Sequence, residues 1–175
     1  MRDGHGVSVG SETANGIGLV TISHVTFLNT ENGIRVKSAR DRGNTIGPIN
    51  VDHLTMTHVT TPLLVTDSYG GQSGASADAL VSPLDAAPVT ALTPKINGVN
   101  IRDLTATDAT WAMILSGLPE SSLQNITLRN IHIEAQHGIQ ARYVNGQGDN
   151  VTVRAQQGPV MVSGPDVALK ISAAQ

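Results

Sequence analysis

The sequence predicts an all-β fold, a parallel β-helix of about five to six coils stacked at roughly 4.8 Å per coil. Three observations predict it. A unit of alternating apolar and polar residues recurs along the chain, which is typical of strands with one buried face. A second short apolar strand follows each copy at nearly constant spacing. Aromatic residues make up only 2% of the 175 residues, so aliphatic side chains must fill the core.

The repeat has two strand series that keep nearly the same register. The first strands begin at Val20, Ile49, Val99, Ile126 and Val151. The intervals between these starting positions are 29, 50, 27 and 25 residues. The equivalent residues of the second strands are Ile34, Leu63, Met113, Ile139 and Val160. The intervals between them are 29, 50, 26 and 21 residues. Units this short cannot fold alone and must stack on one another. The helical spacing of an α-solenoid and the Leu-x-x-Leu-x-Leu pattern of a leucine-rich repeat are both absent.

The interval of 50 positions indicates one long insertion. A segment of about residues 67–94 is rich in Gly, Ser, Ala and Pro and has little two-residue periodicity. Because the register resumes after it, we expect a loop that projects from one coil and not a domain linker. The chain 1–175 is therefore predicted to be a single, partial β-helix domain.

Composition excludes several classes of function. A net charge of −3 argues against nucleic acid as a partner, since non-specific binding needs a basic surface. The chain has no Cys, which excludes disulfides, thiolate catalysis and Cys-ligated zinc. No apolar run approaches the roughly 20 residues of a membrane span, and the N-terminus has no apolar segment typical of a signal peptide. We expect no membrane partner and no cofactor.

His5 lies between two glycines, directly before the short strand at Val7. The glycines would allow backbone or ligand to approach closely. Spacing alone leaves two interpretations open, a histidine that serves a site and an ordinary turn histidine.

Arg35 and Lys37 alternate with buried positions, so both should leave the outer face of one strand. Two cations on one face favour an anion site, and a solubilising pair is the alternative. Arg40 and Arg42 follow closely and favour a larger basic patch.

The remaining histidines are interpreted as structural. His24 and His53 occupy the turn position that holds Asp103 and Asn130 in later coils, where such residues tolerate tight turns and stack as ladders. The spacing of these histidines matches no metal-ligand motif. The same is true of the three other histidines, His58, His132 and His137. No metal site is therefore predicted. Trp111 precedes a second strand and is either a sugar platform or a packed corner.

Residues 4–11 (GHGVSVGS), followed by residues 32–38 (NGIRVKS), resemble the polygalacturonases of glycoside hydrolase family 28. Those enzymes carry a G-H-G-hydrophobic-S-hydrophobic-G-S motif and an R-I-K motif one coil later. The similarity continues through Thr55-Met56 and residues 62–69, and residues 117–120 resemble the bacterial branch. It covers nearly the whole chain and weakens over about the last 20 residues.

The resemblance implies a right-handed parallel β-helix that acts on de-esterified pectin, so an oligogalacturonide is the implied partner. His5 is similar to the family histidine that supports the catalytic carboxylates. Arg35 and Lys37 are similar to the pair that binds the galacturonate carboxylate, and Tyr69 is similar to an active-site tyrosine on the next coil. Family members are secreted or periplasmic.

One departure from the family pattern concerns catalysis. Family members hydrolyse with inversion, using aspartates of an N-T-D motif and a D-D pair that precede the histidine motif, and neither motif occurs here. Inverting hydrolysis needs two carboxyl groups. We therefore expect the isolated chain to be inactive, and Asp3 is not assigned as a catalyst.

A β-helix that begins just before its histidine motif should expose an unpaired sheet edge. This predicts a homo-oligomer formed through the N-terminal end coil. A non-catalytic module that binds acidic polysaccharide, or a self-associating structural β-helix, is the alternative function.

Overall fold

The computed structural model describes residues 1–70 and 81–172, which form parallel strands joined by turns. In chain order the strands are β1 (Arg2–Gly4), β2 (Val7–Val9), β3 (Val20–Thr30), β4 (Asn32–Lys37), β5 (Thr45–Ile46), β6 (Ile49–Thr57), β7 (Thr61–Thr66), β8 (Lys95–Ser116), β9 (Leu123–Arg142), β10 (Val144–Ser163) and β11 (Val167–Ile171). Strands β8, β9 and β10 each contain both strand series of one coil. The predicted all-β parallel fold is confirmed.

Coils pair at the positions that the repeat makes equivalent as far as β9, but the predicted register of the last copy, at Val151 and Val160, is wrong. Ile126 lies opposite Gly146, Val151 lies opposite Ile131, and Ile139 lies opposite Met161. Val20 lies opposite Ile49, which lies opposite Val99. In the second series Ile34 pairs with Leu63 in the same way. These inward side chains form one aliphatic core cluster, and within the residues that the structure describes Phe27 is its one aromatic member. Stacked aliphatic residues therefore replace the aromatic mass that the composition lacks.

The turn within each coil uses the left-handed backbone region. His24, His53, Asp103 and Asn130 have φ between 53° and 55°. Among non-glycine residues, Asn, Asp and His enter this region most readily, which explains the residue types at this position. The rings of His24 and His53 stack with centroids 4.6 Å apart, and the Asn130 amide donates to Asp103 Oδ1 at 2.8 Å. The predicted ladder of turn residues is confirmed.

Part of the expected insertion, residues 71–80, lies outside the described residues. Residues 81–94 contact the coils that follow, since the carbonyl of Ser82 accepts from Arg142 and that of Pro94 accepts from Ser121. The part of the chain that the structure describes contains no helix long and apolar enough to cross a membrane.

The first residue of the second strand in a coil lies against the backbone of the next coil. A Cβ added at Gly138 would lie 2.1 Å from the carbonyl oxygen of Val160 and 2.6 Å from that of Pro159. We expect Gly138→Ala to lower the free energy of unfolding by about 1–3 kcal/mol, because the two coils must separate to admit the methyl group. Urea denaturation measures this loss.

Gly18→Ala is the matched control, because a Cβ there meets nothing within 4 Å and the backbone is not left-handed. It should be neutral or stabilising by about 0.4–1 kcal/mol. Equal losses in the two variants would show that close packing of coils is not the cause.

Candidate functional site

Two glycines of the segment 4–11 are required by the neighbouring coil. Gly6 has φ of +75°, and a Cβ there would lie 1.9 Å from the carbonyl oxygen of Asn32. Gly10 has φ of +97°, and its Cβ would lie 1.9 Å from the carbonyl oxygen of Lys37. Any side chain at either position would push the coils apart. The glycines therefore hold strand β2 directly beside strand β4.

His5 projects from the turn before β2 and joins the first coil to the second. Its Nδ1 lies 2.5 Å from Oε2 of Glu31, and the two side chains are 52% and 59% exposed. Within residues 1–70 and 81–172, His5 forms no side-chain hydrogen bond to Arg35, Lys37 or Tyr69. His5 is thus an exposed histidine paired with a carboxylate. It lies three residues before Ser8, the register partner of Arg35.

Arg35 and Lys37 leave β4 on one face, as the alternation predicts. Arg35 pairs in register with Ser8, and its Nε donates to Ser8 Oγ at 2.9 Å. Lys37 Nζ lies 4.4 Å from the centroid of the Tyr69 ring, within the range of a cation–π interaction. The Tyr69 N–H donates to the carbonyl of Ser38 at 2.9 Å, which holds the tyrosine beside β4.

The structure therefore brings Lys37 and Tyr69 into contact from adjacent coils. It also shows that Lys37 is only 9% exposed, more buried than an outer-face lysine should be. The Tyr69 ring lies against one side of the ammonium group and contributes to this burial.

The partners of these two cations are electrically neutral. Among the residues that the structure describes, neither Arg35 nor Lys37 forms a salt bridge, and their contacts are a hydroxyl and an aromatic ring. Two positive charges thus remain uncompensated on one strand. An arrangement of this kind attracts an anion with two or more acceptor oxygens.

The expected extension of this basic patch to Arg40 and Arg42 is not found. Arg40 Nε lies 2.6 Å from Oε1 of Glu120, and Arg42 lies 3.0 Å from Glu12 and 3.5 Å from Asp41. These carboxylates neutralise both guanidinium groups. This basic patch is therefore limited to Arg35 and Lys37 of β4.

The Arg40–Glu120 pair is ionised. Burial alone would raise the pKa of Glu120, but hydrogen bonds from Arg40 and from backbone N–H groups outweigh it and lower that pKa. The hydrogen bond to Glu120 raises the pKa of Arg40. The backbone carbonyl of Asp85 also accepts a hydrogen bond from Arg40 at 2.7 Å. Arg40 therefore holds the segment 81–94 against the coils.

A buried polar cluster lies just beyond Tyr69. Arg142, only 3% exposed, donates to Ser116 Oγ at 2.8 Å, to Ser68 Oγ at 3.1 Å and to the Ser82 carbonyl at 2.6 Å. Asp67 is fully buried, and among the described residues neither of its carboxyl oxygens has a hydrogen-bond partner. Burial raises the pKa of Asp67 well above its ordinary value, and burial lowers the pKa of Arg142.

Trp111 stacks on His137 of the next coil, with ring centroids 4.3 Å apart and an interplanar angle of 25°. Both residues are half-buried. This contact favours the packed-corner interpretation of Trp111 over the sugar platform, since one ring face is already covered.

A model of the family described as glycosyl hydrolases family 28 matches residues 1–147. The chain belongs to glycosyl hydrolases family 28. It is 28% identical over 127 residues to a probable polygalacturonase of Vitis vinifera, covering 73% of this chain and 24% of the relative. It is 22% identical over 142 residues to an endo-polygalacturonase of Pectobacterium parmentieri, covering 81% and 31%. For endopolygalacturonase B of Aspergillus oryzae the identity is 29% over 141 residues, covering 71% and 38%.

This family 28 chain thus spans 24%, 31% and 38% of the length of those three relatives. No solved structure matches the chain significantly. Polygalacturonases of the family are typically secreted.

In this family 28 chain, sequence reasoning missed Glu31, Asp67 and Arg142. The repeat did hold a signal for Arg142, because Lys37 pairs with Thr66, Thr66 with Ser116 and Ser116 with Arg142. Arg142 therefore ends its strand at the position where Lys37 ends β4. Nothing in the repeat indicates that Asp67 is buried, because it directly follows a second strand, where turn residues are expected. The roles expected of His5, Arg35, Lys37 and Tyr69 stay predictions.

Asp67 should make the stability of the protein depend on pH. Because burial raises its pKa, the folded state binds the Asp67 proton more tightly than the unfolded chain. The stabilisation is fully present below about pH 4, the ordinary aspartate pKa, and is lost as the pH rises toward the higher folded pKa. Asp67→Asn keeps the shape without the charge. We expect the free energy of unfolding of Asp67→Asn to exceed that of the native chain by about 1–3 kcal/mol at pH 7. Near pH 4 the two free energies of unfolding should differ little.

Urea denaturation at pH 4, 5, 6 and 7 measures this difference. Asp41→Asn is the control, because the Asp41 side chain is 78% exposed and should show no such trend. A difference between Asp67→Asn and the native chain that stays constant across this range would contradict the prediction.

Proposed function

We propose that the chain binds de-esterified pectin, an acidic polysaccharide, through Arg35, Lys37 and Tyr69. The observation that carries the proposal is the pair of uncompensated positive charges on β4. A carboxylate of galacturonate can accept charge-assisted hydrogen bonds from a guanidinium and an ammonium group. The names of the relatives, which are polygalacturonases, support the same substrate class.

Tyr69 contributes in two ways to this proposed site. Its ring holds the Lys37 ammonium in place before a ligand arrives, which reduces the entropy lost on binding. Its hydroxyl offers a donor or an acceptor to a sugar. His5 and Glu31, at the start of the neighbouring strands, would then contact an adjoining part of the same polymer.

We infer that the 175 residues alone bind this polymer without hydrolysing it. Inverting hydrolysis requires one carboxylic acid for the leaving group and one carboxylate to activate water. The sequence contains neither an N-T-D motif nor two adjacent aspartates. Glu31, the carboxylate beside His5, is hydrogen-bonded to that histidine. The role proposed for His5 is to support carboxylates that these residues do not supply.

Calorimetric titration with oligogalacturonides, paired with a reducing-sugar assay on polygalacturonate, tests this proposal. We expect the native chain to bind and to release no reducing sugar. Arg35→Ala and Lys37→Met should each weaken binding about 10–100-fold, because each removes a hydrogen bond to a charged group. Arg154→Ala is the matched control, since Arg154 is 75% exposed and already paired with Glu134 at 3.1 Å.

Equal affinity in Arg35→Ala and the native chain would reject the binding site. Reducing-sugar release by the native chain that disappears in His5→Ala would reject the absence of hydrolysis.

A second candidate function is self-association through the N-terminal end coil. The main sheet path ends at β1 and β2. In the first half of β3, where the strand pairing among the described residues is to β6, Val20 and Ile22 are half-buried, whereas their register partners Ile49 and Val51 are 0% and 2% exposed. Leu19, beside them, is 67% exposed. We propose that a second copy of the chain covers this apolar end.

Light scattering at increasing concentration tests the self-association. We expect a dimer, and we expect Leu19→Lys to shift it toward monomer because a charge is then buried at the contact. Val89→Lys is the control, because Val89 is 61% exposed but lies in the segment 81–94. A native chain that stays monomeric at high concentration would refute an interface at this end.

A further inference from the structure

Three side chains at the turns of β3 and β6 lie close enough together to share one metal ion. One donor atom each from His24, Asp52 and His53 lies within 4.8 Å of the other two. His24 and His53 are exposed and Asp52 is half-buried, so all three can be reached from solvent. None of them belongs to β4, where the proposed polysaccharide site lies.

The spacing of Asp52 and His53 already matches a coordination edge. His53 Nδ1 lies 3.1 Å from Asp52 Oδ1. Two ligands bound at about 2.0–2.2 Å to a tetrahedral ion lie roughly 3.3–3.5 Å apart. These two donors now share a hydrogen bond, which an ion would replace, and they would have to separate by only about 0.2–0.4 Å, with the His53 lone pair turned toward the ion.

His24 needs a small rotation to complete the set. Its ring lies parallel to that of His53, with centroids 4.6 Å apart and an interplanar angle of 4°. Parallel imidazoles cannot both direct a nitrogen lone pair at one ion, so binding requires a turn about χ2. That torsion is soft, and the His53 side chain is 51% exposed, so solvent leaves room for the movement.

The backbone holds the two histidines one coil apart. Both have left-handed φ, 55° at His24 and 53° at His53. Strands β3 and β6 are paired in register on either side of these residues, through Ser23 with Asp52 and Val25 with Leu54. The fold thus orders the donor backbone before an ion arrives, which lowers the entropy lost on binding.

Charges of both signs surround the cluster. Asp52 bonds Arg102 through Oδ2 at 3.0 Å, and this guanidinium offsets part of the Asp52 charge, so an ion would bind through Oδ1 without breaking that pair. Asp103, with Oδ2 3.9 Å from His53 Nε2, adds a second negative charge nearby.

We propose that His24, Asp52 and His53 bind one divalent transition-metal ion such as Zn²⁺. Two imidazoles and one carboxylate suit Zn²⁺, Ni²⁺ and Cu²⁺, whereas Ca²⁺ and Mg²⁺ prefer oxygen donors only. Water completes the coordination at this exposed position. The bound ion links β3 to β6 and so stabilises the two coils to which these strands belong.

Titration of the full chain with ZnCl₂, followed by calorimetry and by the melting temperature, tests the site. We expect one Zn²⁺ per chain, a melting temperature that rises with Zn²⁺ concentration, and no response to MgCl₂. His24→Asn and His53→Asn should each weaken Zn²⁺ binding at least about tenfold. Asn is chosen because it occupies the same left-handed turn at Asn130, so the fold is retained.

His132→Asn is the matched control, because His132 is exposed on β9, two coils beyond β6, and is not part of the cluster. It should leave Zn²⁺ affinity unchanged, and metal-free melting temperatures confirm that every variant folds. Unchanged affinity in both His24→Asn and His53→Asn, or no one-site binding by the native chain, would overturn the proposal. The test does not involve β4 or any sugar, so its outcome is separate from that of the polysaccharide site.

Discussion

Backbone hydrogen bonding between successive coils, in one parallel register, is the interaction on which the rest of the structure depends. Side chains alternate between two faces along each strand, so a slip of one residue would turn the aliphatic ladder toward solvent. The register that buries Ile34 against Leu63 also places Arg35 beside Ser8 and on the outer face. Core and candidate site are therefore held by the same bonds. Gly6, which admits the backbone of the next coil, belongs to both.

The left-handed turn is a second consequence of stacking equal coils. Each coil needs a residue that tolerates positive φ at the same place, and Asn, Asp and His meet that need best. These residue types also carry metal-binding donor atoms. In two of the coils the turn holds Asp103 and Asn130, joined by an ordinary amide-to-carboxylate hydrogen bond. Where two coils both use histidine, at His24 and His53, the backbone requirement alone brings two imidazoles together.

Periodicity predicted the strands, the register of the coils up to β9 and the outward direction of Arg35, because these follow from spacing within a coil and between equal coils. It failed at β10, where the interval between coils is shorter, so that Val151 lies opposite Ile131. It did not predict the pairing of Arg40 with Glu120, which are 80 positions apart with the insertion between them. The sequence of the insertion has no repeat, so its contacts cannot be predicted from the register of the coils. The burial of Lys37 escaped prediction for a related reason, since the Tyr69 ring reaches it from a turn after β7. The cluster of His24, Asp52 and His53 escaped because its members come from different coils.

The difference between these two pairs of cations explains why the pair on β4, and not Arg40 with Arg42, is suited to an anionic ligand. A ligand carboxylate at Arg40 would have to displace Glu120, which costs about as much as the new pair returns. At Lys37 nothing negative has to leave, and the Tyr69 ring stabilises the ammonium by about 0.5–2 kcal/mol while leaving its charge in place. The Ser8 hydroxyl does the same for Arg35. Neutral partners thus order both cations and preserve their full attraction for a carboxylate, which a salt bridge would have removed.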